Sequence, residues 1–302
     1  MGHDHAAGVR HRGRLAAVLG IALTVFCVEL VVGLFTGSLA LLADAGHVLT
    51  DAVGVLMALI AITIGRRGAG RDARSSYGFH RAEVLAAGAN GLILMGLCIG
   101  IVVGAVRRLS EPAELDGPLV LAAGAVGLAA NVIALLLLRD GADHNLNMRG
   151  AYLEVLGDAL GSIAVLISAG IIVVTGWWRA DAIASLVIAA LIVPRAVSLL
   201  REVGEVLLEA TPRGVDLAEL RDHVLSTPGV VEVHDLHVWT ITSGMPVMSA
   251  HVVVDDSVDQ MRDAHAVLDR LSECLSEHFD VEHSTFQIEP LGHAASESHS
   301  HA

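Results

Sequence analysis

Long apolar runs alternate with short polar connections over the first two-thirds of the chain, and after residue 210 the pattern breaks into shorter amphipathic pieces. Six runs reach the roughly 20 residues needed to cross a bilayer as a helix: residues 15–35, 39–64, 84–106, 119–138, 151–174 and 182–200. Beyond Thr211-Pro212, residues 215–225 have helical spacing and stop at Pro228-Gly229. Residues 230–242 and 245–255 alternate as strands around Ser243-Gly244, a hairpin signal; 258–278 is helical and 284–289 is a last strand. The pattern predicts an α-helical membrane protein with six transmembrane helices, followed by a small two-layer α+β domain in the order α-β-β-α-β. The implied organisation is a His-containing tail over 1–14, a membrane domain over 15–209, the α+β domain over 210–290 and a disordered His-containing tail over 291–302.

Composition supports this division. Hydrophobic residues make up 54% of the chain and charged residues 17%, with mean hydropathy +0.63, whereas soluble domains carry about 25% charged residues. The net charge of -14 is concentrated late: from Ala210 onward there are 16 Asp/Glu against 4 Arg. Such a surface excludes nucleic acid as a partner and suits cations. Ten of the 16 histidines also lie there. If the spans alternate, Arg10, Arg12, Arg14, Arg66, Arg67, Arg71, Arg74, Arg139, Arg149 and Arg201 fall on one side. By the positive-inside rule that side is cytoplasmic, with both termini and the α+β domain. Arg107, Arg108 and Arg179 fall on the other side, partly offset by Glu111, Glu114 and Asp116. Cys27, Cys98 and Cys274 form no Cys-x-x-Cys and imply no disulfide framework. No Ala-x-Ala cleavage signal follows the first run, so it is expected to be retained. Gly33/Gly37 and Gly96/Gly100/Gly104 have the four-residue spacing that lets helices approach closely.

The chemistry lies in two echoes inside the apolar runs. His47 and Asp51 are separated by four residues, and so are Glu154 and Asp158; on a helix each pair shares one face. Ionisable groups at mid-span cost about 2.5–3.5 kcal/mol each on insertion scales and mark functional sites. Two such helices side by side offer four ligands, the number a tetrahedral divalent metal takes. Protons can neutralise the same groups when the metal leaves, which makes exchange thermodynamically possible. Thr24, Glu29, Asp44, Asn90, Asn131 and Ser162 also lie in spans. Most read as interhelical hydrogen-bonding groups; Glu29 reads either as a proton relay or metal-entry ligand, or as a partner of Asn or Arg.

Several stretches resemble the signatures of the cation diffusion facilitator family. They are Ser38 to His47 (SLALLADAGH), Tyr77 to Glu83 (YGFHRAE), Asn147 to Leu153 (NMRGAYL), His234 to Trp239 (HDLHVW) and Gln287 to Pro290 (QIEP). The resemblance implies a six-helix membrane domain, a cytoplasmic metallochaperone-like domain and a homodimer in a bacterial-type inner membrane. It further implies export of Zn²⁺ or a related divalent ion in exchange for protons, by alternating access, with no required cofactor. It places the transport site on His47, Asp51, Glu154 and Asp158. Zinc-transporting members typically have His where this chain has Glu154, so the site is richer in oxygen and less zinc-selective. Zn²⁺ is the first expectation, with Co²⁺, Cd²⁺, Fe²⁺ or Mn²⁺ as alternatives. His234, His251, His265 and Glu289 fall near the family's cytoplasmic metal positions, with Gln287 where some members have His. His237 is three residues from His234, which on a regular strand puts the two on opposite faces. The connection around Asp72 is flanked by Arg and predicts no further metal site, and His80 reads as helix-end structure. The terminal histidines (His3, His5, His11, His293, His299, His301) are equally compatible with metal capture and with no role.

Two other functional classes fit the sequence less well. A membrane metal-dependent hydrolase would need an open coordination position and a general base, and the chain lacks His-Glu-x-x-His and a serine elbow. A membrane-anchored metal sensor leaves the four polar groups inside the spans unexplained.

Overall fold

The computed structural model of the chain describes residues 5–65, 77–142, 146–242, 244–258, 260–279, 281 and 283–293. The connection containing Asp72, and His3, His299 and His301, lie outside the described residues. Six long helices come first: α1 (His5–Thr36), α2 (Leu39–Gly65), α3 (Arg81–Ser110), α4 (Gly117–Ala142), α5 (Leu146–Thr175) and α6 (Arg179–Leu207). Then follow α7 (Leu217–Leu225), β1 (Val230–Thr240), β2 (Pro246–Val254), α8 (Met261–His278) and β3 (His283–Pro290), in the expected α-β-β-α-β order.

Among the described residues, α1, α3, α4, α5 and α6 contain stretches long and apolar enough to cross a membrane. The sixth span is α2, whose 27 residues cover about 40 Å at ~1.5 Å per residue. The helices overshoot the apolar runs: α1 starts at His5 rather than 15, and α6 continues to Leu207 rather than 200. Helical backbone satisfies its own hydrogen bonds, so polar turns extend a span at little cost.

Small residues set the packing of the membrane unit. Ala40, Leu41 and Ala43 of α2 meet Leu94 and Cys98 of α3, Val120 and Ala123 of α4, Val165 and Ala169 of α5, and Ala184 and Ile188 of α6 in one buried cluster. A Cβ on Gly33 would lie 3.0 Å from Leu42, and one on Gly104 3.3 Å from Leu39; these two glycines serve close helix approach as expected. Gly96 and Gly100 meet nothing within 4 Å in this chain.

The α1–α2 turn is tied to two other helices. Gly37 takes a positive φ of 72°, accessible to glycine without strain. The Ser38 hydroxyl caps α2 by accepting from the Leu41 amide at 3.2 Å and itself donates to Asp181 in the first turn of α6. Asp181, 1% exposed, also accepts from the Leu39 amide at 2.8 Å. Arg108 of α3 donates to the Gly37 carbonyl at 2.6 Å and lies 3.6 Å from Asp181. Arg108, which the arginine count placed on the minority side, thus has a structural partner there.

In the second unit, β1 pairs antiparallel with β2, and β2 pairs parallel with β3. A parallel pair needs a crossover, which α8 provides. Asp216 caps α7, accepting from the Ala218 amide at 2.8 Å. Met248, Ala250, Val252 and Val254 alternate along β2 and pack with Leu220, Val224, Val267 and Leu271 of the two helices. His251 and Val253 point to the opposite face, since strand side chains alternate. β1 is irregular between His234 and His237, which pair with His251 and Ser249, and Asp235 there has φ 47°. This bulge corrects the regular-strand expectation: the extra residue leaves His234 and His237 opposite residues of the same β2 face.

Replacing Asp181 with Ala leaves the Ser38 hydroxyl and the Leu39 amide without their acceptor, at about 1–3 kcal/mol for such a loss. The Asp181→Ala protein is expected to melt earlier in detergent, with Asp181→Asn intermediate. An unchanged melting temperature contradicts the assigned cap.

Candidate metal centre

The two i,i+4 pairs face each other across α2 and α5. His47 is 7% exposed, and Thr50, one turn on, donates to the His47 carbonyl at 2.8 Å. His47 Nε2 lies 3.6 Å from Asp51 Oδ2 and 3.5 Å from Asp158 Oδ1. Tetrahedral ligand atoms about 2.0–2.1 Å from a zinc ion stand roughly 3.3–3.5 Å apart, so His47 has the spacing of a co-ligand to both carboxylates. His47 Nδ1 and Asp158 Oδ1 are buried without a hydrogen-bond partner.

Glu154 is turned toward a residue that sequence reasoning missed. Arg195, on α6 directly after Pro194, donates through Nη2 to Glu154 Oε1 at 2.7 Å. Its Nη1 lies 3.6 Å from Asp51 Oδ2 and 3.4 Å from His47 Nε2. The signal was present: an arginine inside the sixth apolar run costs about 2.5–3.5 kcal/mol there unless it is paired. Local spacing does not reveal those partners, because they lie on other helices, 41 and 144 residues away for Glu154 and Asp51.

Two cavities flank the quartet. One, of about 230 Å³, is lined by Val18, Ala22, Asp51, Ala151, Glu154 and Asp158. The other, of about 190 Å³, is lined by Asp44, His47, Glu154, Gly161, Ile188 and Arg195. Glu154 borders both.

One turn before His47, four of the six polar span residues form a second cluster, whereas Thr24 donates to the Gly20 carbonyl of its own helix. Asn131 donates to Ser162 Oγ at 3.2 Å, and Ser162 Oγ lies 3.4 Å from Asp44 Oδ2. Asp44 in turn faces Glu29; the two are 3% and 1% exposed. Among the described residues Glu29 thus lies beside another carboxyl group and has no Asn or Arg partner, its two oxygens being buried without a hydrogen bond. Glycines make the room: a Cβ on Gly127 would lie 2.6 Å from Glu29 Oε1, and one on Gly161 2.8 Å from Asp44 Oδ1.

The α+β unit holds a separate group. His234, His251 and Glu289 place one ligand atom each within 4.8 Å of the others, the one such trio among the described residues. His251 Nδ1 is 2.9 Å from Glu289 Oε1, and His234 Nε2 is 3.5 Å from Glu289 Oε2. Gln287 donates to Glu289 Oε1 at 2.8 Å, orienting the carboxylate rather than joining the trio. Asp235 on the bulge lies 3.9 Å from His251. Of the four expected residues, His265 stands apart: its side chain is 73% exposed and 3.7 Å from Asp269 one turn along α8.

Residues 15–208 match the family model described as the cation efflux transmembrane domain, and residues 212–291 match the cation efflux protein, cytoplasmic domain. The chain is 40% identical over 287 residues to a metal cation efflux system protein, CzcD, of Cupriavidus metallidurans, covering 95% of this chain and 89% of that one. It is 38% identical over 297 residues to the zinc transporter ZitB of Escherichia coli, covering 96% and 93%. It is 34% identical over 295 residues to a cadmium, cobalt and zinc/H(+)-K(+) antiporter of Bacillus subtilis, covering 97% and 93%.

The glycine contacts give a stability test. Gly127→Ala drives a methyl group onto Glu29 and is expected to destabilise by about 1–3 kcal/mol, lowering the melting temperature in detergent. Gly96→Ala, with open space at the same position type, is expected to be neutral or stabilising by up to ~1 kcal/mol through helix propensity. Equal melting temperatures for the two variants contradict the packed cluster.

Proposed function

The chain belongs to the cation diffusion facilitator family of membrane cation efflux proteins, and we propose that it exports a divalent metal ion, Zn²⁺ first, from the cytoplasm in exchange for protons. The observation that carries this reading is the approach of Asp158 of α5 to His47 of α2 at 3.5 Å, with Asp51 of the same helix 3.6 Å from the same nitrogen. It is supported by the efflux and antiport functions named for relatives aligned over nearly the whole chain.

In this reading His47, Asp51, Glu154 and Asp158 bind the cargo ion. Metal and protons compete for the same lone pairs, so loading releases protons and acidification favours release. Alternating access exposes the site first to the cytoplasm and then to the opposite side. In this reading both termini and the α+β domain are cytoplasmic, supported by the excess of arginine on one side of the membrane, and two copies associate as a homodimer. A set of one imidazole and three carboxylates is harder than one with two imidazoles. Co²⁺ and Cd²⁺, named with zinc for the Bacillus relative, are the nearest alternatives, ahead of Fe²⁺ and Mn²⁺. His234, His251 and Glu289 bind a second, regulatory ion that lowers repulsion between two acidic cytoplasmic domains.

Proteoliposomes with an internal metal-responsive dye and an imposed pH gradient test the transport reading. Wild type is expected to move Zn²⁺ in response to the gradient, and Asp158→Asn to lose at least about 100-fold in rate, since removing one of four ligands costs several kcal/mol of ion binding. Gradient-independent behaviour of wild type refutes antiport. Glu154→His is expected to raise transport of Zn²⁺ relative to Mn²⁺, and an unchanged ratio removes the role of Glu154 in selectivity. His251→Ala is expected to lower tightly bound Zn²⁺ by about one ion per protomer, measured by metal analysis of the purified protein; unchanged stoichiometry dismisses the cytoplasmic site.

A further inference from the structure

Arg195 introduces a permanent charge into a site meant for a mobile one. A guanidinium stays protonated at any pH a cell meets, so Arg195 is neither a proton carrier nor a metal ligand. Its two terminal nitrogens divide their contacts: one holds Glu154 at 2.7 Å, and the other stands 3.6 Å from Asp51 and 3.4 Å from His47. Three of the four cargo-binding residues therefore face a cation belonging to the protein itself.

The charges match the cargo. Asp51, Glu154 and Asp158 ionised, with neutral His47, carry −3; Arg195 brings the group to −2, which a divalent ion neutralises. The cavities show how both cations fit. Arg195 borders the α6-side cavity with His47 and Glu154, whereas Asp51, Glu154 and Asp158 also line the α1-side cavity, which Arg195 does not border. An ion arriving through the α1-side cavity meets Asp51 and Asp158 directly and must draw Glu154 away from Arg195. Pro194 precedes the arginine and cannot donate to the Ala190 carbonyl. α6 is therefore locally weakened where the guanidinium must retreat.

We propose that Arg195 is a resident counter-cation of the transport site, which competes with the cargo ion for the carboxylates, Glu154 first, and so limits how tightly the ion is held. This rests on the assignment of His47, Asp51, Glu154 and Asp158 as the cargo site. Arg195 is a specificity-determining residue: it sets the charge the cargo must supply and returns to Glu154 when the ion leaves.

The test is Zn²⁺ binding to the full-length protein in detergent, measured by competition with a metal-responsive dye in a His234→Ala/His251→Ala background. Removing a unit positive charge within hydrogen-bonding distance of the ligands is expected to tighten binding: Arg195→Gln and Arg195→Met bind Zn²⁺ at least about tenfold tighter than the parent. Arg195→Lys, which keeps the charge, stays within about threefold of it. In vesicles, Arg195→Gln turns over more slowly at saturating Zn²⁺ because release is slower. A gain in affinity cannot come from misfolding, so weaker or equal binding by both neutral variants overturns the proposal. Asp51→Asn separates this from the underlying assignment. If Asp51→Asn binds Zn²⁺ as the parent does, the cargo site itself is misassigned and the proposal falls with it. If Asp51→Asn loses binding while the neutral Arg195 variants gain none, the proposal alone fails.

Discussion

Charge inside a membrane-spanning bundle must be matched by charge, proton or hydrogen bond, and that constraint organises the membrane half of this protein. Asp51, Glu154 and Asp158 are held beside His47 and Arg195. Asp44 is set against Ser162, which Asn131 supports, and faces Glu29. Asp181, at the end of the helices, is consumed by the α2 cap and Arg108. Each group lies where helices meet, and the Glu29–Asp44 group depends on glycines for room. Gly127 and Gly161 could not be alanine without striking a carboxylate. Those two glycines are thus the condition that lets Glu29 and Asp44 lie between the helices.

The two candidate metal groups differ in composition and surroundings. The membrane quartet contains three carboxylates and is bordered by cavities on two sides, as suits an ion that enters and leaves. The cytoplasmic trio contains two imidazoles and one buried carboxylate fixed by Gln287. It is built on a sheet whose other face carries the core, and its geometry is set by strand pairing: His234 opposite His251, and Glu289 opposite Val253 two residues along. That rigidity suits an ion that stays.

Much of this was legible in the residues. A run of apolar side chains long enough to span a bilayer has few alternatives to a helix, so six spans and the α-β-β-α-β tail could be read, with the spans up to ten residues short at an end. The i,i+4 pairs could be read because helical periodicity alone puts each pair on one face. What pattern could not supply was anything set between distant elements. Arg195 belongs to the site only because α6 packs beside α5. The bulge at Asp235 realigns His237 through pairing with β2. His265 has a ligand's chemistry, yet its helix leaves it exposed beside Asp269. Gly96 and Gly100 have the spacing of a packing stripe but meet nothing in their own chain.

The central claim is that one imidazole from α2 and three carboxylates from α2 and α5 hold the transported ion. The X-ray absorption spectrum of the zinc-loaded protein, taken in a variant lacking His234 and His251, reads that ligand set directly. The account predicts a first shell of about one nitrogen and three oxygens near 2.0–2.1 Å with a single imidazole signature. A shell containing sulfur, or two or more imidazoles, would contradict it.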